Sequence, residues 1–177
     1  MKRNILKYCI TCLLFIVLGL TLVGCDFAFF DNDNKIVEDK LDSLLNAIET
    51  ENKDTIHALF AHNKINNISN FDDDIDELLA YYQGNHSSYR NWGLGTDIDV
   101  DSGITKKWFN ISYDVTTTTD VYRTAIYWCV QDTGDGANVG IWSLYILKLS
   151  EDSNPDYAYR GDGEWTPGIQ VGKPRSS

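Results

Sequence analysis

Two hydrophobic periods divide the chain near Gly84. Before it, apolar residues recur every three or four positions; after it, they alternate with polar ones. Ile36, Val37, Leu41, Leu44, Leu45 and Ile48 trace the stripe of an amphipathic helix, with Asn34 placed to cap its start and Glu38 and Asp39 near the positive end of its dipole. Asp54 is a second N-cap candidate, opening a short helix with Ile56, Leu59 and Phe60 as its apolar residues. A third helix is predicted from about Asp72 to Gln83, with Ile75, Leu78, Leu79 and Tyr82 on one face and Gly84 following as a C-cap.

Past Gly84 the period is two. From Trp108 to Thr118, Phe109, Ile111, Tyr113 and Val115 point one way and Asn110, Ser112, Asp114 and Thr116 the other. Tyr122 to Gln131 and Val139 to Leu149 are rich in aromatic and β-branched residues, and an earlier strand is predicted between Ser88 and Val100. Asp132-Thr133-Gly134-Asp135-Gly136 supplies the hairpin loop between the two later runs. Three helices followed by hairpin-linked strands predict an α+β fold, one curved antiparallel sheet with the N-terminal helices packed on one face.

The first residues follow a different logic. Lys2, Arg3 and Lys7 form a basic start, and Tyr8 to Val23 is almost wholly apolar. That run is shorter than the ~20 residues a spanning helix needs, and acidic residues follow it at once. Leu22-Val23-Gly24-Cys25 closes it and resembles a bacterial lipobox. The resemblance implies a signal peptide over 1–24 and diacylglycerol on the Cys25 sulfur, with fatty chains holding the protein to the outer face of a bacterial cell membrane. Residues 25–35 then read as the lipidated cysteine and its tether, and residues 36–177 as a single domain large enough to bury its own core.

Charge and cysteine usage sharpen this picture. The chain carries −11 and loses three basic residues with the leader. Such an acidic domain repels nucleic acid and anionic headgroups, so membrane residence is expected to come from the lipid. Cys9 and Cys12 leave with the signal and Cys25 carries lipid. Cys129 is left in an apolar run as a buried thiol, and no disulfide framework is expected.

The order of elements resembles the nuclear-transport-factor-like, or cystatin-like, fold, in which helices close one side of a cone made by the sheet. The mature chain also resembles a group of lipoproteins, mainly from Gram-positive bacteria, that carry a domain of unknown function. The resemblance rests on Ile36 to Ile48, Asp54 to Phe60, Tyr122 to Trp128, Gly140-Ile141-Trp142-Ser143-Leu144 and Trp165-Thr166-Pro167-Gly168-Ile169. It implies a fold with a pocket, and no activity. Relatives of that fold include isomerase- and dehydratase-type enzymes with an acid-base Asp or His in the cone. Asp114, on the polar face with Asn110 and Ser112, is the residue that would fill the role if that face lines a pocket; facing solvent, it is an ordinary surface carboxylate.

Other constellations carry less. His57 and His62 are five apart, which misses the spacing that places two ligands on one helical face. Asp97, Asp99 and Asp101 begin like a calcium loop. Ser102 and Trp108 then occupy the positions that need glycine and a bidentate glutamate, so a strand edge with outward acids is expected. No metalloprotease, nucleophile-elbow, P-loop or dinucleotide motif is present, and neither metal nor cofactor is expected. Aromatic residues remain. Trp92, Tyr113, Tyr127 and Trp142 are candidates to line a pocket for a small molecule or to dock a cell-surface protein. The expected function is therefore a membrane-anchored, non-catalytic binding module, with an Asp114-dependent isomerase or dehydratase as the alternative.

Overall fold

A computed structural model describes residues 33–151 and 165–172. The expected signal peptide, Cys25 and the expected tether as far as residue 32 lie outside the described residues. The chain divides into two compact units, Met1–Lys40 and Leu41–Ser177, and the boundary falls inside the first helix, α1 (33–49). In the first unit Lys35 Nζ pairs with Asp39 at 3.0 Å, one helical turn away. The sheet and all later helices belong to the second unit.

Within that unit, α1 buries Leu41, Leu44, Leu45 and Ile48, as the three-and-four spacing requires. Helix α2 (Lys53–Leu59) starts two residues earlier than its sequence suggests. Asn52 Oδ1, rather than Asp54, accepts the free N–H of Thr55 at 2.9 Å, and Asp54 sits inside the first turn. A single turn, α3 (His62–Ile65), follows, and α4 (Phe71–Tyr81) begins with Asp72, Asp73 and Asp74 at the positive end of its dipole. After α4, Gly84 has φ +81, and a Cβ there would lie 2.5 Å from Thr118 Oγ1, so only glycine fits.

Five strands form one sheet in sequence order: β1 (His86–Asp101), β2 (Ile104–Thr117), β3 (Val121–Asp132), β4 (Gly140–Lys148) and β5 (Gly168–Val171). The first three pairings are antiparallel, whereas β5 joins β4 in parallel. Ser102 and Gly103, with φ of 51 and 83, make the tight turn between β1 and β2. Asp132 organises the β3–β4 loop: its carboxylate accepts the N–H groups of Gly134 and Asp135 and the Asn138 amide at 2.9–3.0 Å. Burial raises the Asp132 pKa, but these donors outweigh it and hold the carboxyl below its usual range. The acidic loop therefore satisfies itself.

The expected fold of three helices on an antiparallel cone is not what forms. Four helices precede the sheet among the described residues, and the sheet is mixed. The extra helix is a four-residue turn, too short to show a period. The parallel strand is also four residues long and pairs with β4 only through tertiary contact. Gly140 helps fix the junction beneath it. Its φ is +140 and a Cβ would meet Ala61 N at 2.5 Å, where Ala61 N–H donates to Ile141 O.

Candidate functional site

The two faces of β2 have different fates. Phe109, Ile111, Tyr113 and Val115 are all at most 1% exposed. Register carries this face onto Trp128, Ile126, Thr124 and Tyr122 of β3. Tyr122 stacks on Tyr82 at the end of α4, with ring centroids 4.8 Å apart, and its hydroxyl accepts from Gln83 N–H and donates to Tyr81 O. The helices thus cover this side. Tyr113 belongs to it, edge-on to Tyr89 and 1% exposed, and so stands apart from the other aromatic candidates.

On the opposite face, Asn110, Ser112 and Asp114 stand in a row. The ladder sets Asp114 between Arg90 of β1 and Arg123 of β3, Ser112 between Gly93 and Ala125, and Asn110 between Gly95 and Tyr127. Arg123 Nε donates to Asp114 Oδ1 at 2.9 Å and Nη2 to Oδ2 at 3.3 Å, a two-point contact with both side chains largely buried. Asp114 is thereby brought onto the same face as Asn110 and Ser112, but its oxygens are engaged by a guanidinium.

Trp92 comes from an irregularity in β1, where the register shifts between Asn91 and Gly93. Its ring is 42% exposed and lies under two cations, with the guanidinium carbons of Arg90 and Arg123 at 4.4 and 4.6 Å from its centroid. Beside it the strand reads Gly93-Leu94-Gly95. The missing side chains leave a hollow of about 250 Å³ lined by Trp92, Gly93, Leu94, Gly95, Asn110 and Ser112. A Cβ on Gly93 would meet nothing within 4 Å. Ser112 is only 7% exposed, and neither its hydroxyl nor the Asn110 amide takes a hydrogen bond from any described residue. Farther along the same strand face, the Trp108 indole N–H is buried with no acceptor among the described residues. Of these three groups only the Trp108 N–H is itself shut off from solvent; Asn110 and Ser112 line the hollow.

Tyr127 and Trp142 form a second aromatic group at the end of this face. Tyr127 stacks on Trp165 at 5.3 Å and meets the edge of Trp142 at 5.7 Å, while Trp142 also touches Trp108. The Trp142 indole donates to Asn138 O at 2.7 Å, and Lys64 Nζ lies 3.8 Å from its ring. Burial pushes the Tyr127 phenol up, and the Asp97 carboxylate adds to the shift. Between the two groups, Ala125, Tyr145 and Leu147 are buried with Trp165 packed on them.

Residues 43–149 match the family model described as a domain of unknown function (DUF5104). The chain belongs to that family. No curated protein matches it. The DUF5104 match takes in α2 to α4 and β1 to β4, so every residue of the hollow lies within it.

The remaining sequence candidates are dispersed. His86 Nδ1 lies 2.8 Å from Glu49 Oε1, His57 packs edge-on to Phe71, and His62 contacts Asn66. No group of metal-ligating side chains occurs among the described residues. Cys129 is fully buried and burial pushes its thiol pKa up. A second hollow of about 410 Å³ lies by the start of α4, lined by His57, Ser69, Asp72 and Asp73 among others. None of the described helices is long and apolar enough to cross a membrane.

Period two in the sequence places Asn110 and Ser112 on one face but gives no sign of Arg90, Arg123 or the glycine floor. Arg123 becomes visible only through the β2–β3 register. Gly93-x-Gly95 was the available signal, because glycine inside a strand marks a place kept clear of side chains. Asp114→Asn should lower stability by about 1.5–3 kcal/mol in chemical denaturation, since it weakens a charge-assisted pair between two largely buried side chains; an unchanged midpoint would show the pair to be idle.

Proposed function

We propose that this protein is a membrane-anchored extracytoplasmic lipoprotein, held by lipid on Cys25, whose domain is a non-catalytic binding module. The hollow beside Trp92 is its receiving site. One observation carries the binding half of this reading: Ser112, nine-tenths buried, keeps a hydroxyl without a partner among the described residues at the wall of a glycine-floored hollow. A hydroxyl so placed is available to a ligand, which has only to displace water from it. The anchoring half is supported by the basic start, the apolar run and the Leu22-Val23-Gly24-Cys25 sequence.

The isomerase or dehydratase alternative lacks a comparable support. A general base needs a lone pair directed at substrate, and both oxygens of Asp114 accept from Arg123. No histidine lines the hollow.

Each half has its own test. Cys25→Ser should move the protein from the membrane fraction to the soluble fraction; retention in the membrane contradicts lipid anchoring. For binding, backbone and indole NMR signals of the full chain are followed while envelope-derived sugars, peptides and lipids are added in turn. Shifts should cluster at residues 90–95 and 110–112. Shifts confined to the hollow by α4, or none across the panel, would remove the assignment.

A further inference from the structure

We infer that the Trp92 hollow receives an uncharged, hydroxyl-bearing ring of the neutral sugar class, an assignment that rests on the binding reading above. The lining carries it. Trp92, Gly93, Leu94, Gly95, Asn110 and Ser112 include no charged side chain, although the chain as a whole carries −11. The nearby charges stand outside that lining. Asp114 accepts from Arg123 at two points, and the Arg90 guanidinium carbon lies 4.4 Å from the Trp92 centroid.

Such walls discriminate by desolvation. An ion entering the hollow sheds water and meets no opposite charge on the lining. A wholly apolar ligand, such as an acyl chain, covers Ser112 Oγ and the Asn110 amide and leaves both without a partner. A ligand hydroxyl avoids both costs. It donates and accepts, as the serine hydroxyl and the asparagine amide do, and so takes the place of solvent at either group.

Spacing and size select a ring. Asn110 and Ser112 are alternate residues of β2, about 7 Å apart along the strand. A ligand that meets both needs hydroxyls on separated atoms, and a ring holds them there without the rotor entropy an open chain loses. The volume of about 250 Å³ falls below the roughly 300–1,000 Å³ of sites for drug-sized ligands, leaving room for one ring. Gly93 and Gly95 let that ring approach the bare strand, and Trp92, 42% exposed, offers apolar surface to its C–H groups.

The test is an NMR titration of the full chain with the methyl glycosides of glucose, galactose and mannose. Sodium glucuronate, glucosamine hydrochloride, glycerol and cyclohexanol serve as comparisons. At least one glycoside should shift the Trp92 indole and Ser112 signals saturably, with each comparison compound at least fivefold weaker. Ser112→Ala should weaken that glycoside about tenfold, its Tm confirming a folded protein; Asn110→Ala provides the same measurement at the second group. Equal or tighter binding of glucuronate or glucosamine at these residues would overturn the uncharged assignment. The same result with cyclohexanol would overturn the hydroxyls, and with glycerol the ring. No response to any glycoside, or full affinity in both folded variants, would also overturn the inference. The binding reading survives these outcomes if another member of the broader panel moves residues 90–95 and 110–112, and falls with the inference if none does.

Discussion

The alternation of β2 is the constraint on which the rest depends. Its odd-numbered residues, Phe109 to Val115, are removed from water on the helix side, each large side chain contributing about 1.5–3 kcal/mol by burial. A slip of one residue would turn that whole set to the other side and place Asn110, Ser112 and Asp114 under the helices. The register is therefore fixed by the core. Once fixed, it leaves no choice about what the far face displays. Asp114 must meet Arg123, Ser112 must stand over Gly93, and Asn110 over Gly95.

The same alternation explains how much could be read in advance. The polar row was legible because period two needs no partner strand; β1, β3 and β4 end within two residues of the expected limits, while β2 begins at Ile104, four residues before the expected Trp108. The helix stripe from Leu41 to Ile48 was legible for the corresponding reason. What failed was everything set by tertiary contact. The α3 turn contains only His62-Asn63-Lys64-Ile65, and Gly168-Ile169-Gln170-Val171 becomes a strand only because β4 offers it an edge. The antiparallel sheet and the three-helix cover expected from sequence fell with those two elements. In the site, Tyr113 and Trp92 looked equivalent as aromatics in strand-forming segments. The β1 irregularity beside Asn91 sends Trp92 to the solvent side, while Tyr113 stays in the core.

Energetics separate the parts of the far face. The cluster of Ala125, Tyr145, Leu147 and Trp165 is apolar packing and contributes as any core does. Asp114 with Arg123 is a satisfied pair that orders two neighbouring strands. Asn110 and Ser112 take no hydrogen bond from any described residue, and the glycines that open space beside them give up the packing that larger side chains would supply. Gly93 has room for a side chain and carries none. A hollow kept open at that cost fits a surface used for binding, and a lipid at Cys25 would hold it against the cell.

Filling the hollow tests this most directly. Gly93→Leu places a side chain where a Cβ meets nothing within 4 Å, so the fold has no reason to object. With the ligand that moves the wild-type signals most, the variant should lose binding at least tenfold while its melting temperature stays the same or rises. Undiminished binding in a folded Gly93→Leu protein would mean that the hollow is scenery and that the protein works through some other surface.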